Sequence, residues 1–409
     1  MKFKKIDNLF FNLLLLAIFL IKLPSFYILP FLKNNFLTSQ ALARILVVII
    51  FIFNILKFKF NLKFKNNQKN LFFLIFVFFL TESFSVFYSV NVLSFLARYK
   101  DVLISFLAFL LFYFYQNKKE RIVQVFLLST IFSIVYQFFL ISDGEFLKSI
   151  IYDKHINLVF DKLERQNRLY TDTYDEALIP FLFINLRINF FIQLILFLSI
   201  IFFSFYSNIR SRFLMMSFSL IFSFIFFKKT NLRKIFIIFS SFLIFVLVIL
   251  NISFLTSQQL VVDRFFSADE AQDISPINFR LNQIQEATMI ANNKLIGLGL
   301  GNYFDVIENN QKYGQGLLAR SDILNIGSNE YVHNIFGLIL SELGWIGFII
   351  IFLVLFNFAF NDYKVIRTGR EMDKALVLSF WSLFLYGLFN PIIPLSYQFL
   401  FWGLRGLLI

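Results

Sequence analysis

Read as a string of apolar and polar positions, the chain is a series of greasy stretches parted by short charged turns. A helix needs roughly 20 consecutive apolar residues to cross a hydrocarbon core of about 30 Å. Stretches of that kind recur at 9–23, 38–56, 71–90, 97–115, 121–141, 176–188, 189–207, 211–227, 233–254, 332–357, 374–390 and 391–406. They predict an all-α polytopic membrane protein with about 12 transmembrane helices. The first stretch follows a basic start, Met1 to Lys5, and superficially resembles a leader. No small-residue cleavage site comes after it and further spans do, so it reads as a span. The sixth is short, and the turn at Asn390-Pro391 alone parts the last two.

Two polar segments interrupt the pattern, a smaller one at 142–176 and a large one at 255–331 between spans 9 and 10. Charge decides which side they occupy. With the N-terminus in the cytoplasm, the inner loops are 57–70, 116–121, 228–234 and 361–374, and every one is rich in Lys and Arg. That is the distribution the positive-inside rule demands, whereas a miscount by one span would put a basic loop outside. Both long polar segments then fall outside, and both termini lie in the cytoplasm. The domain organisation expected is one transmembrane domain, 1–409, carrying the two outer loops. The smaller reads as a surface cap in which His155 has no evident role.

Composition narrows the chemistry. The net charge of +13 would suggest nucleic acid in a soluble chain, but here the basic loops account for it through membrane orientation. With no cysteine, disulfides and thiolate metal sites are excluded. Two histidines, His155 and His333, are too few for a histidine-rich metal site, and no acidic pair stands at ligand spacing. The expected cofactor and metal complement is none.

The large loop is long enough to carry function. Ser275-Pro276 is a helix start, since serine caps free amides and proline suits the first turn. Ile277, Leu281, Ile284, Thr288 and Ala291 then recur at helical spacing, with Arg280 about 60° from the centre of their stripe. The helix should end near Asn292-Asn293. Next comes Gly297-Leu298-Gly299-Leu300-Gly301-Asn302-Tyr303, which lacks the strand-turn-helix setting and acidic partner of a nucleotide site. A tight turn with close backbone approach explains these glycines better. Gly344 and Gly347, in the tenth span, suit close helix packing.

Cations are scarce on the outer side, so each one there asks for a reason. Arg98 opens the fourth span, Arg210 and Arg212 sit in the turn before the eighth, and Arg264 and Arg280 lie in the large loop. Guanidinium groups grip phosphate oxygens bidentately and stay charged, which suits a lipid diphosphate at the outer leaflet. Headgroup contact or snorkelling is the bland alternative for any single one. His333, between Glu330 and Asn334 at the entry to the tenth span, could accept a proton from a sugar hydroxyl or hydrogen-bond a diphosphate oxygen. Glu342 lies about 13 Å further along that helix on roughly the opposite face, so it should not pair with His333. Glu82 and Glu342 stand out as carboxylates within spans and carry no assigned role.

Together these features resemble the O-antigen ligase and O-antigen polymerase superfamily. The resemblance rests on Ser211-Arg212 at the start of a span, on Arg280 followed by the Gly297–Tyr303 run, and on His333-Asn334 leading to Glu342-Leu343-Gly344-Trp345-Ile346-Gly347. It departs where Phe213 replaces a glycine, Ile284 an aromatic residue and Lys294 a proline. The resemblance implies a metal-independent, inverting glycosyltransferase that uses an undecaprenyl-diphosphate-linked glycan at the periplasmic face. The acceptor would be another lipid-linked glycan, with a chain-length regulator as a further partner, or lipid A-core. It implies His333, Arg280 and Arg212 as catalytic residues. Arg210, Arg264, Arg98, Glu330 and Asn334 would be substrate contacts. A polysaccharide or lipid transporter is the rival reading, but inverted repeats and midplane charges are not evident. A non-enzymatic scaffold is the other, and it would tolerate loss of the arginines and the histidine.

Overall fold

The computed structural model describes residues 2–26, 38–58, 66–142, 173–207, 209–227, 276–303, 305, 332–390 and 393–409. The described residues form helices and connecting turns: α1 (Lys2–Lys22), α2 (Ser39–Phe58), α3 (Asn66–Phe84), α4 (Val92–Phe114), α5 (Lys119–Ser142), α6 (Ile179–Leu182), α7 (Phe190–Tyr206), α8 (Arg210–Phe226), α9 (Pro276–Asn293), α10 (Ile335–Thr368), α11 (Glu371–Gly387) and α12 (Leu395–Leu408). The protein is a multi-pass membrane protein. Among the described residues, four helical stretches are long and apolar enough to cross a bilayer: Ser39–Lys57, Gln68–Tyr88, Gln116–Ile141 and Ile335–Thr368. The apolar helices Phe190–Tyr206 and Ser211–Phe226 are shorter. The expected ninth span, 233–254, lies outside the described residues, as do His155 and most of both long polar segments.

The bundle is knit by close helix contacts. α12 lies along α4, α1 along α2 and α5, α8 along α11, and α10 along α3 and α9. Small residues let α12 approach α4: a Cβ on Gly403 would fall 2.3 Å from the Phe112 ring. The outward faces carry large apolar side chains such as Leu56, Phe73, Phe138 and Phe356, as lipid-facing surfaces should.

Two expected spans take another form. In place of a continuous helix over 176–188, a 3-10 turn (Asp175–Leu178) leads into the single α-turn of α6. Tyr174 and Arg187, at φ 51° and 57°, sit at its two ends in left-handed backbone. This segment is buried from Thr173 through Ile184, so its apolar residues serve the interior rather than lipid. The tenth span is longer than read, and it is broken. α10 runs to Thr368 through most of the expected inner loop, and its 34 residues would reach about 51 Å if straight. It is not straight, because Gly344 adopts φ 63°, ψ −163°, a region open essentially to glycine alone. Phe336 and Phe348, about 18 Å apart on a straight helix, bring their ring centroids to 5.7 Å. α10 is therefore a short arm, 335–343, folded sharply on a long arm, 345–368. The short arm is buried at every position but Phe336, and the long arm turns exposed apolar side chains outward.

The glycine run fills the crook of that fold. A Cβ on Gly297 would lie 2.5 Å from the Glu342 carbonyl, and one on Gly344 would lie 2.1 Å from the Leu295 oxygen. The carbonyls of Ser341 and Glu342, freed by the helix break, accept from the amides of Leu298 and Gly299, both at 2.9 Å. Leu300 N donates to Ser85 Oγ at 3.1 Å, and Asn302 Oδ1 accepts from Asn91 N at 2.6 Å. The run thus fastens the break in α10 to the adjoining ends of α3 and α4. Close backbone approach explains these glycines, and Gly344 acts as a helix breaker more than as a packing surface.

Candidate functional site

α9 begins at Pro276 and ends at Asn293, and it packs beside the short arm of α10 in the same chain direction. Gln283 meets His333, Ile284 and Ala287 face Gly337, and Asn292 meets Trp345. The docked face differs from the apolar stripe. Leu281 is 51% exposed, while Gln283, Glu286, Ala287, Ile290 and Ala291 are buried. That face is turned by about 110° from the expected one and flanks Arg280 on its other side. The physical reason is that two polar side chains in it find partners. The Gln283 side-chain oxygen accepts from His333 N at 3.0 Å, and Glu286 Oε2 accepts from the Tyr303 hydroxyl at 3.1 Å. Apolar periodicity does not register such pairs.

Arg280, half-buried, precedes Gln283 by three residues, about 4.5 Å of helix rise. Gln283 in turn holds the backbone of His333. The two candidates are therefore brought to the same end of the α9–α10 pair from 53 positions apart in the chain. Beside them Glu286 is buried, and burial pushes its carboxyl up to about 7 against the opposing pull of the Tyr303 hydrogen bond. Burial and the neighbouring Glu286 hold the Tyr303 phenol well above its ordinary range.

Arg212 sits in the first turn of α8, 3% exposed, where its Nε donates to Glu176 Oε1 at 2.6 Å. Ser204 Oγ donates to the same oxygen at 2.7 Å. The adjacent Asp175 is paired with Lys22 Nζ at 2.6 Å and accepts from Thr130 at 2.9 Å and Ser133 at 2.6 Å. Two cations and two anions thus neutralise one another in the interior, joining α1, α5, α7 and α8. Sequence reading missed Asp175 and Glu176. A signal existed, since adjacent carboxylates at the entry to an apolar segment cannot be buried unpaired.

Arg98 is 7% exposed, and its Nη1 donates to the Ile393 carbonyl at 2.7 Å. It lies in electrostatic reach of Glu82 and Glu342. The three line a small cavity together with Leu300, Tyr397 and Trp402, with room for about two waters. Its place is inside the bundle, not at an open outer edge. Glu342 accepts from Gly301 N at 2.9 Å and faces this cavity, away from the Gln283–His333 contact. Asn334 caps α10, accepting from the amides of Phe336 and Gly337 and donating to Leu388 O at 2.8 Å. Its amide serves the helix start and the end of α11, a duty other than the substrate contact expected of it. Arg264, Glu330 and the side chain of Arg210 lie outside the described residues.

Three of these groups have neighbours at the end of α11 or just after it. Leu388 O receives Asn334, Ile393 O receives Arg98, and Tyr386 lies in electrostatic reach of Arg212. Tyr386 packs its ring 5.1 Å from Tyr174 and 6.0 Å from Tyr397.

Residues 194–352, which contain Arg212, Arg280 and His333, match a family model described as O-Antigen ligase. Over that segment the chain is similar to the O-antigen ligase family. Its members are membrane enzymes of glycosyltransferase type. No curated protein and no solved structure matches the chain. The matched segment ends inside α10 and begins after Glu176, so α11, α12 and the buried Asp175-Glu176 pair stand outside it.

Proposed function

We propose that this protein is a member of the O-antigen ligase and polymerase superfamily that polymerises an oligosaccharide carried on undecaprenyl diphosphate, at the periplasmic face of the bacterial inner membrane. A hydroxyl of the acceptor, a second lipid-linked glycan, attacks the anomeric carbon of the donor. The new glycosidic C–O bond forms as the bond to the diphosphate oxygen breaks, with inversion. The hydroxyl proton passes to His333, and the diphosphate leaves with its charge on the lipid. Arg280, one helical turn from the residue that holds His333, grips that leaving group. Preorganised guanidinium groups stabilise such developing charge without a metal. Arg212 is the second cation, already neutralised by Glu176, so it contributes directed hydrogen bonds more than net charge. Transfer to lipid A-core, the ligase reaction, uses the same donor chemistry with another acceptor.

The observation that carries this reading is the Gln283–His333 contact, which sets His333 and Arg280 at one end of the α9–α10 pair within the family-matched segment. His333→Ala and Arg280→Ala, expressed in the native polysaccharide background, are expected to abolish long-chain glycan while membrane insertion stays normal. Normal polymer together with normally capped lipid A-core in both variants overturns the enzymatic reading. Accumulated single repeat units identify the polymerase, and uncapped lipid A-core beside intact polymer identifies the ligase.

A further inference from the structure

We infer that Glu176 is a positioning residue for Arg212, so that the exit of the smaller polar segment, 142–176, sets the geometry of the diphosphate site. The inference rests on the assignment of Arg212 to the diphosphate. An arginine side chain has several rotatable bonds, and holding it at Nε fixes the plane of its guanidinium. Here the holder is itself held. Glu176 is fully buried, Ser204 donates to the oxygen that Arg212 uses, and the next residue back, Asp175, is anchored by Lys22, Thr130 and Ser133. Gln137 extends the network by donating to Ser133 Oγ at 3.1 Å. The left-handed turn at Tyr174, its ring packed among Tyr386 and Tyr397, gives the acidic pair its approach to the interior. A pair meant only to neutralise charge could sit in one helix–helix seam. This one ties the first turn of α8 to three other helices and to the end of a polar loop. The last residues of the segment that sequence pattern presents as a bland cap therefore support the arginine.

The alternative duty for Glu176 is competition: an anion that occupies Arg212 until the diphosphate displaces it. The two duties predict opposite signs. The full chain in nanodiscs would be titrated with undecaprenyl diphosphate, in wild-type form and as Arg212→Ala, Glu176→Gln, Glu176→Asp and the double variant Glu176→Gln/Arg212→Ala. If Glu176 positions Arg212, Glu176→Gln weakens binding by about 10- to 100-fold. Glu176→Asp then restores most of it, and the double variant binds no worse than Arg212→Ala alone. Tighter binding by Glu176→Gln shows competition and overturns the inference, and so does unchanged binding when Arg212→Ala binds weakly. Unchanged binding by Arg212→Ala overturns instead the assignment of that arginine to the diphosphate. Should Glu176→Gln fail to fold, Ser204→Ala decides. It removes one hydroxyl without changing charge, and wild-type affinity in it overturns the inference.

Discussion

Two arginine–carboxylate pairs are buried among the described residues, and they are built differently. Where the C-terminal parts of α10 and α12 meet, Asp362 engages Arg405 through both Nη groups, one at 2.8 Å, and accepts from Trp381 Nε1 at 2.8 Å. The guanidinium carbon lies 3.5 Å from the Phe380 ring centroid and 4.0 Å from that of Phe358. Every partner sits within a helix, and two aromatic faces close around the cation. The second pair, Glu176–Arg212, meets through Nε and takes its carboxylate from a 3-10 turn at the end of a polar segment. It continues into a network of hydroxyls and a second ion pair. Similar chemistry serves two purposes: a stacked, bidentate pair is a rivet, and a pair joined through Nε within a polar network is a mount.

The comparison breaks most directly at the rivet. Asp362→Ala or Arg405→Ala leaves a buried charge alone and should cost about 3–5 kcal/mol. It would be seen as loss of the folded species in detergent on heating. Next in size is the break in α10, where Gly344→Ala forces a side chain into a glycine-only conformation against the Leu295 carbonyl. A destabilisation of roughly 3 kcal/mol is expected, read by the same melt. A sharper separation replaces both partners at once. Asp362→Leu with Arg405→Met should leave stability within about 1–2 kcal/mol of wild type, because an apolar pair avoids the desolvation penalty. Glu176→Leu with Arg212→Met should likewise insert and fold, yet fail in glycan assembly. Equal activity in the two double variants would erase the distinction between rivet and mount.

The smallest effect concerns α9. The folded Glu286 carboxyl stands at about 7 against an ordinary 4.5, so the folded state prefers the protonated form. Its contribution is complete below about pH 4.5 and is lost as pH rises through 7. Protection of the α9 amides against exchange, taken relative to the base-catalysed intrinsic rate at each pH, should therefore be greater at pH 5.5 than at pH 8. Glu286→Gln should remove most of that difference, and an unchanged pH dependence in it would show that another group governs α9.

Much of the candidate site was legible one residue at a time. Arg212, Arg280 and His333 stood out because a cation or imidazole beside an apolar span demands a reason, and the end of α9 at Asn293 followed from the glycines beyond it. Their partners were less visible. Gln283, Glu286 and Glu176 are polar residues whose burial makes sense only with His333 N, Tyr303 and Arg212 beside them. The short sixth span misled for a related reason, since apolar residues face a protein interior as readily as lipid.

By itself, the sequence determined the chain's character: helices apolar enough for a bilayer, basic turns between them, and a polar insertion holding an arginine helix and a glycine run. Those properties are local, each set by a residue's own transfer free energy or backbone freedom. The tertiary structure alone decided that α10 folds at Gly344, that the glycine run clasps that fold, and that Arg212 rests on Glu176 from a segment outside the family-matched residues. Those are long-range pairings, and a buried polar group declares its partner only once the chain has brought the two within hydrogen-bonding distance.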